Sequence, residues 1–221
     1  HAQYLGSTLP AIAAEKAGII KPGVPVVTAE TDPVQLEVFA RRARELSAPL
    51  HAFDPATLEG VHTSLEGTRF RLRTGAWGEL DLETALIGVH QAANTAIAVR
   101  ALELLGPALR PSREAVLEGV RSVRWPGRLQ VERIGGVCWV FDVAHNPAGV
   151  QALVAALAEL HLPRPIVPVL GILGDKDWKS MLPPLLCCAD AAILTVPPTA
   201  PVQRLWDPQA ALAAVPDQRA T

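Results

Sequence analysis

Hydrophobic and polar positions fall into short segments along this chain, and the spacing in each predicts an element. Thr8 as N-cap, Pro10 in the first turn and Gly18 after the end delimit a short first helix. Val24 to Ala29 is an apolar run after Lys21-Pro22-Gly23 and predicts a buried strand. Leu36, Phe39, Ala40, Ala43 and Leu46 form one stripe, so Val34 to Leu46 is read as a helix. Leu65 to Leu72 partly alternates around Gly67 and predicts strands joined by a turn. Trp77 to Leu82 and then Ala85-Leu86-Ile87 read as further strand. His90 to Leu105 reads as a helix ended by Gly106-Pro107, and Ser112 caps another from Arg113 to Val120.

Arg124-Trp125-Pro126-Gly127-Arg128 is rich in turn formers and marks a boundary between domains. Beyond it the order becomes regular. Val137 to Phe141 is a strand, Pro147 to Leu160 a helix, Ile166 to Leu170 a strand, Trp178 to Cys188 a helix and Ala191 to Val196 a strand. This β-α-β-α-β order predicts an α/β fold, with a parallel sheet and helices on its faces.

Composition narrows the function. Among 221 residues, 20 Lys and Arg face 22 Asp and Glu, a net charge of −2, too balanced for a nucleic-acid or membrane-surface footprint. Hydrophobic residues make up 49%, enough for a packed core. No apolar run reaches the ~18 residues of a membrane helix, and the best, Leu185 to Val196, is broken by Asp190. No secretory signal is recognisable, and three cysteines make no disulfide framework, so a reducing, cytoplasmic setting is expected. The chain opens at His1 and its only methionine is Met181, from which a piece of a longer protein is expected.

Several positions are candidates for chemistry. Leu9, Ile12, Ala13 and Lys16 follow helical spacing, so Lys16 continues an apolar stripe. Burial disfavours a charged amine and makes it nucleophilic, for example toward carbon dioxide to give a carbamate; the alternative is a lysine at the stripe's end that reaches water. Asn94, one turn into its helix, carries the donor and acceptor that suit an adenine edge. Asp142-Val143-Ala144-His145-Asn146-Pro147 runs from a strand's end into a helix, where open α/β sheets bind ligands. Asn146 and Pro147 are explained as N-cap and N1. Asp142 is left to accept from a sugar hydroxyl or base amine, and His145 to meet an anion at the helix start. Gly171-Ile172-Leu173-Gly174-Asp175-Lys176-Asp177 holds the equivalent place after the next strand, where Lys176 faces either a substrate carboxylate or phosphate, or only solvent. Arg128 follows a rigid Trp-Pro-Gly turn, a placement suited either to a phosphate or to an ordinary linker arginine. Cys187, Cys188 and the tryptophans Trp77, Trp139, Trp178 and Trp206 read as packing residues.

Taken in order, these stretches resemble the folylpolyglutamate synthase/dihydrofolate synthase family of the Mur ligase superfamily. The resemblance rests on His1 with Tyr4-Leu5-Gly6, Glu15-Lys16-Ala17-Gly18-Ile19, Gly88-Val89-His90-Gln91-Ala92-Ala93-Asn94, Arg124-Trp125-Pro126-Gly127-Arg128-Leu129, Asp142 to Pro147 and Asp175-Lys176-Asp177. It implies the second half of a Mur-type P-loop ATPase domain over residues 1–124. An incomplete Rossmann-like C-terminal α/β domain with a mainly parallel sheet then follows over 125–221. It further implies a carbamylated Lys16 and His1 as Mg²⁺ ligands, and ATP contacts at Asn94 (adenine), Arg128 (phosphate) and Asp142 (nucleoside side). His145 lies near the phosphates as a second catalytic candidate, and Asp175 and Lys176 fall toward glutamate. The implied reaction joins L-glutamate to a folate through an acyl phosphate, with ATP and two Mg²⁺ ions, in a monomer that needs no nucleic acid or membrane. The family's Gly-rich phosphate loop falls upstream of His1, so the isolated chain is expected to lack catalysis. Two other readings stay open: another Mur-type ligase, joining an amino acid to a cell-wall precursor, and a degenerate or truncated product that only binds nucleotide or a partner.

Overall fold

The computed structural model describes residues 8–214. It divides into two compact units. The first comprises the chain through His62 with Arg69–Ala85 and His90–Val123. The second comprises Thr63–Thr68, Leu86–Val89 and the chain from Arg124 onward.

The first unit begins with α1 (Leu9–Ala17), whose N-cap Thr8 accepts from the Ala11 amide as the sequence predicts. Strands β1 (Val26–Thr28) and β2 (Leu50–Ala52) pair in parallel, joined through α2 (Pro33–Glu45). Asp32 caps α2 by accepting from Val34 and Gln35. Ala17, Ile20, Ala43 and Ala48 form the small core of this part, with Val26, Phe39 and Leu50 packed on it.

Three strands follow in the order β3 (Glu59–Ser64), β4 (Gly67–Thr74) and β5 (Gly78–Thr84), then helices α3 (Val89–Glu103) and α4 (Arg113–Ser122). Alternation assigns the faces. Phe70, Leu72, Leu80 and Leu82 point into a core with Ala92, Ala96 and Val99 of α3 and Val116 of α4. Arg69, Arg71, Glu79, Asp81 and Glu83 point out. Arg69 pairs with Glu83 and Arg71 with Asp81, both at 3.0 Å. One partner rises by two as the other falls by two, which is antiparallel register. Ala85-Leu86-Ile87, expected as strand, is a bend leading into α3; Ile87 is buried all the same.

The second unit holds the hairpin β6 (Gln130–Ile134) and β7 (Val137–Phe141), then α5 (Pro147–Glu159), β8 (Val169–Gly171), α6 (Trp178–Cys187), β9 (Ile193–Thr195) and α7 (Pro208–Ala214). Strands β8 and β9 are parallel, as the β-α-β reading requires. β7 departs from that reading: it pairs antiparallel with β6. The reason is local. Gly135 and Gly136 both take positive φ, 61° and 80°, which permits a two-residue hairpin turn. Asn146 caps α5 through the Gly149 amide with Pro147 in its first turn, as expected.

Val150, Ile172, Met181, Leu182, Trp206 and Ala211 make the main core of this unit, with Leu170 and Leu194 packed against it. A second cluster joins Leu129, Ala156, Leu160 and Ile87, with Val131 and Val140 against it. Trp206 is buried, as read from sequence, but Trp139 is 44% exposed. Cys187, read as core, is exposed; all three cysteines are free thiols. No helix among the described residues is long and apolar enough to cross a membrane.

Candidate functional site

Lys16 and Asn94 lie in the first unit, while Arg128, Asp142, His145, Asp175 and Lys176 lie in the second. His1 lies outside the described residues.

The stripe that was to bury Lys16 is not the buried face of α1. Leu9 is 60% exposed and Lys16 is exposed, whereas Ala13, Ala17 and Ile20 are buried. These three, at i, i+4 and i+7, turn the packed side away from Lys16. Small alanines at Ala13 and Ala17 let the helix sit close to its neighbours, a signal that counting only large apolar residues misses. Of the two readings of Lys16, the structure shows the one in which the side chain at the stripe's end reaches water. Asn94 is exposed on α3 and donates to Gln91 Oε1 at 3.2 Å, so part of its amide is already engaged within the helix. Gln91, one turn earlier, is the buried member of this pair.

The second unit contains the most organised arrangement. The Trp125–Gln130 turn is held against the loop that leaves β7. Gly127 donates to Gln130 Oε1 (3.0 Å), and its carbonyl accepts from the Val143 amide (3.0 Å). Gly127 has φ +72°, and a Cβ there would lie 2.9 Å from Val143 Cγ1, so only glycine allows this approach. Leu129 also takes positive φ, 45°, although its side chain is buried in the core. For a non-glycine residue the left-handed region costs about 1–2 kcal/mol. Its amide donates to Asp142 Oδ2 at 2.9 Å, while Oδ1 of the same carboxylate accepts from Ala144 at 2.7 Å.

Asp142, read from sequence as an acceptor for ligand groups, thus spends both oxygens on backbone amides of this chain. His145 Nδ1 lies 3.1 Å from the Val143 carbonyl, and Asn146 opens α5 immediately after it. Arg128 is exposed at the centre of the turn. The outcome is a guanidinium and an imidazole on two loops stitched to one another beside a helix N-terminus, a setting that accepts anions.

The Gly171–Asp177 loop behaves differently. Arg204 grips Asp175 through Nε and Nη2, with contacts of 3.2, 3.1 and 2.9 Å. Lys176 Nζ lies 3.5 Å from the same carboxylate. Partial desolvation pushes Asp175 upward, but the hydrogen bond and charge of Arg204, with the charge of Lys176, outweigh it and hold the carboxyl below its ordinary value. Gly174 donates to the Arg204 carbonyl, and a Cβ there would run into the Leu205 carbonyl oxygen. Asp175 is therefore a structural anchor for its loop. Arg204 was missed because nothing in its local sequence marks a partner 29 residues away. Among the described residues no group of three or more His, Cys, Asp and Glu side chains gathers to hold a metal.

Known proteins give this geometry a context. Residues 127–219 match the family described as Mur ligase, glutamate ligase domain. The dihydrofolate synthase/folylpolyglutamate synthase of Bacillus subtilis is 34% identical over 194 residues, 86% of this chain and 45% of that protein. Folylpolyglutamate synthase of Mycobacterium tuberculosis, solved with ADP and AMPPCP, superposes with a TM-score of 0.83 at 31% identity, covering 97% of this chain and 48% of its own. An FPGS–AMPPCP–folate complex gives a TM-score of 0.77 at 34% identity, covering 100% of this chain and 54% of its own. The chain spans about half the length of the relatives it matches. Residues 127–219 are thus similar to the Mur ligase, glutamate ligase domain, and over nearly its whole length the chain is similar to folylpolyglutamate and dihydrofolate synthases.

Proposed function

We propose that the whole protein is an ATP-dependent ligase that adds L-glutamate to a folate. The observation that supports this best is the stitched pair of loops carrying Arg128 and His145 at the start of α5. Relatives of this fold have been solved with ADP, AMPPCP and folate.

In this reading a folate carboxylate attacks the γ-phosphate of ATP, the acyl phosphate forms and ADP leaves. The glutamate amine then displaces phosphate, and the amide keeps the new bond. Arg128 neutralises phosphate charge with a planar fork of donors. His145 and the N-terminal amides of α5 lie where further negative charge is accommodated. Asn94 is assigned to the adenine edge, and Lys176 to the carboxylate side of glutamate beside Asp175. Lys16, in its carbamate form, and His1 are assigned to Mg²⁺, the ion that accompanies ATP. The boundary near residues 124–125 belongs to the same proposal.

The test is ADP release by the intact protein. Turnover is expected only when folate, L-glutamate and Mg²⁺ are all present, and Arg128→Ala should raise the KM for ATP. ADP release that ignores folate, or turnover with a nucleotide-linked muramyl acceptor instead, defeats the reading. Lys16→Ala with unchanged turnover removes the carbamate role alone.

A further inference from the structure

Two cations share one carboxylate at the Gly171–Asp177 loop. Arg204 Nη2 lies 2.9 Å from Asp175 Oδ2, and Lys176 Nζ lies 3.5 Å from the same oxygen. Asp177, the other carboxylate of the loop, is turned to the Ser180 amide and caps α6. From this we infer that Arg204 is a substrate-binding residue: it takes one carboxylate of the incoming dicarboxylic amino acid while Lys176 takes the other. The inference rests on the assignment of Lys176 to glutamate. It extends that assignment to a residue outside every stretch on which the family resemblance rests.

The occupied edge of the guanidinium carries the argument. A guanidinium offers one fork from Nε and Nη2 and another from Nη1 and the second N–H of Nη2. Asp175 fills the first fork, by Nε at 3.2 Å and Nη2 at 3.1 and 2.9 Å. Nη1 donates to nothing among the described residues, so the second fork is open. The side chain is 40% exposed, which lets a ligand reach that fork from water. Lys176 is more enclosed, at 23%, and its three N–H groups make no hydrogen bond among the described residues. The pair thus holds more positive charge than Asp175 neutralises. Both side chains also stand on a fixed base. Gly174, two residues before Lys176, donates to the Arg204 carbonyl at 2.8 Å, and buried Trp206 donates from Nε1 to the Thr195 carbonyl at 2.7 Å. Cations on a fixed base lose less freedom when an anion binds. Glutamate fits because it reacts through its amine, so both of its carboxylates stay charged and need partners throughout.

The experiment is steady-state kinetics of the intact protein with Arg204→Ala, Arg204→Lys and Asp175→Asn, read as kcat and as KM for L-glutamate, folate and ATP. Arg204→Ala is expected to raise the KM for L-glutamate about 10- to 100-fold, the loss of charge-assisted hydrogen bonds to a carboxylate. The KM values for ATP and folate should stay within about twofold and kcat should change little, as when binding common to ground and transition states is removed. Arg204→Lys keeps the charge without the forks and should fall between wild type and Arg204→Ala. Asp175→Asn separates binding from a purely structural clamp. A clamp is broken equally from either side, so the two variants would then match in KM for L-glutamate. A substrate-binding Arg204 keeps its second fork in Asp175→Asn, and that variant should raise the KM for L-glutamate less than Arg204→Ala does. Equal losses overturn the inference, and so does a loss that spreads to ATP and folate or an unchanged KM for L-glutamate in Arg204→Ala. If ADP release by the wild-type protein does not depend on L-glutamate, the functional reading falls first and takes this inference with it. Where Arg204→Ala does not fold, Arg204→Lys takes its place in the same comparison.

Discussion

The outer faces of the two units' strands obey the same alternation and carry opposite chemistry. On β4 and β5 every second residue turns out as Arg69, Arg71, Arg73, Glu79, Asp81 or Glu83, cross-linked by ion pairs. On β7, β8 and β9 the residues opposite the helices are Trp139, Phe141, Val169 and Ile193, which are 43 to 57% exposed. Val140, Leu170 and Leu194, between them, pack on the cores beneath. An antiparallel sheet can give one face to water and cover it with paired charge. Parallel strands of α/β folds, here β8 and β9, are apolar on both sides because both are ordinarily covered, and the antiparallel β7 carries the same composition. The difference therefore separates a face designed for solvent from one whose composition is that of an interior.

The largest effects should come from the helix-covered sides. Leu182 is 0% exposed in the core of the second unit, and Leu82 is 1% exposed in that of the first. Alanine at either should cost about 2–5 kcal/mol, the range for a truncated core leucine. Phe141→Ala, on the open face, should cost less, about 1–2 kcal/mol, since Phe141 keeps 43% of its surface in water. Urea unfolding followed by circular dichroism gives all three values. A loss at Phe141 as large as that at Leu182 breaks the comparison, since it requires the outer face to be covered in solution.

An intermediate effect is expected at Glu103, at the end of α3. Its carboxylate accepts from the Gly75 and Ala76 amides and from Arg100, and so ties the β4–β5 turn to the helix. Burial pushes this carboxyl upward, but the Ala76 amide, Arg100 and the Gly75 amide more than reverse that, and its pKa lies below the ordinary 4.5. A carboxylate with a depressed folded pKa stabilises above its unfolded value, and that stability is lost as pH falls through the folded one. Wild-type stability should thus decline below about pH 4.5 with a component that Glu103→Gln abolishes. At neutral pH the substitution should cost about 1–2 kcal/mol, from weaker hydrogen bonds to an uncharged acceptor. Identical acid profiles for the two proteins would remove the turn clamp.

How much of this was visible in the sequence depends on the range of the interaction. Caps at Thr8, Ser112 and Asn146 were legible because cap and amide are three residues apart. The alternation of β4 was only partly read, because the turn placed around Gly67 lies ahead of the strand, which Gly67 opens. The pairing of β7 with β6 was missed: its continuous Val137–Phe141 run looks like a buried parallel strand, and the deciding feature is the Gly135-Gly136 turn. At the site, Asp142 and His145 were found from their place after a strand. The engagement of Asp142 by Leu129 spans 13 residues, and that of Asp175 by Arg204 spans 29, so neither is encoded in local spacing. The spacing around Lys16 left burial and exposure both open because the stripe was scored by size, and the packed face of α1 is made of alanines.

The smallest effect should lie on the charged face, and it sharpens the comparison from the other side. Arg71 sits 3.0 Å from Asp81 and 3.3 Å from Glu79. The hydrogen bond and charge of Asp81, then the charge of Glu79, raise its pKa further above the ordinary arginine range, so it keeps its charge at every accessible pH. That permanence does not make it a large contributor. The side chain is 45% exposed, and exposed pairs trade their attraction against solvation, side-chain entropy and screening by salt. Arg71→Ala should barely move the urea midpoint in moderate salt. A deficit should emerge as salt is lowered, when Glu79, Asp81 and Glu83 are left facing one another with fewer cations between them. The coupling between Arg71→Ala and Asp81→Ala should shrink on adding salt in the same way. A loss at Arg71 that rivals Leu82→Ala and ignores salt would mean that this face is not a solvated one, and the contrast between the two units' strands would then lie in composition alone.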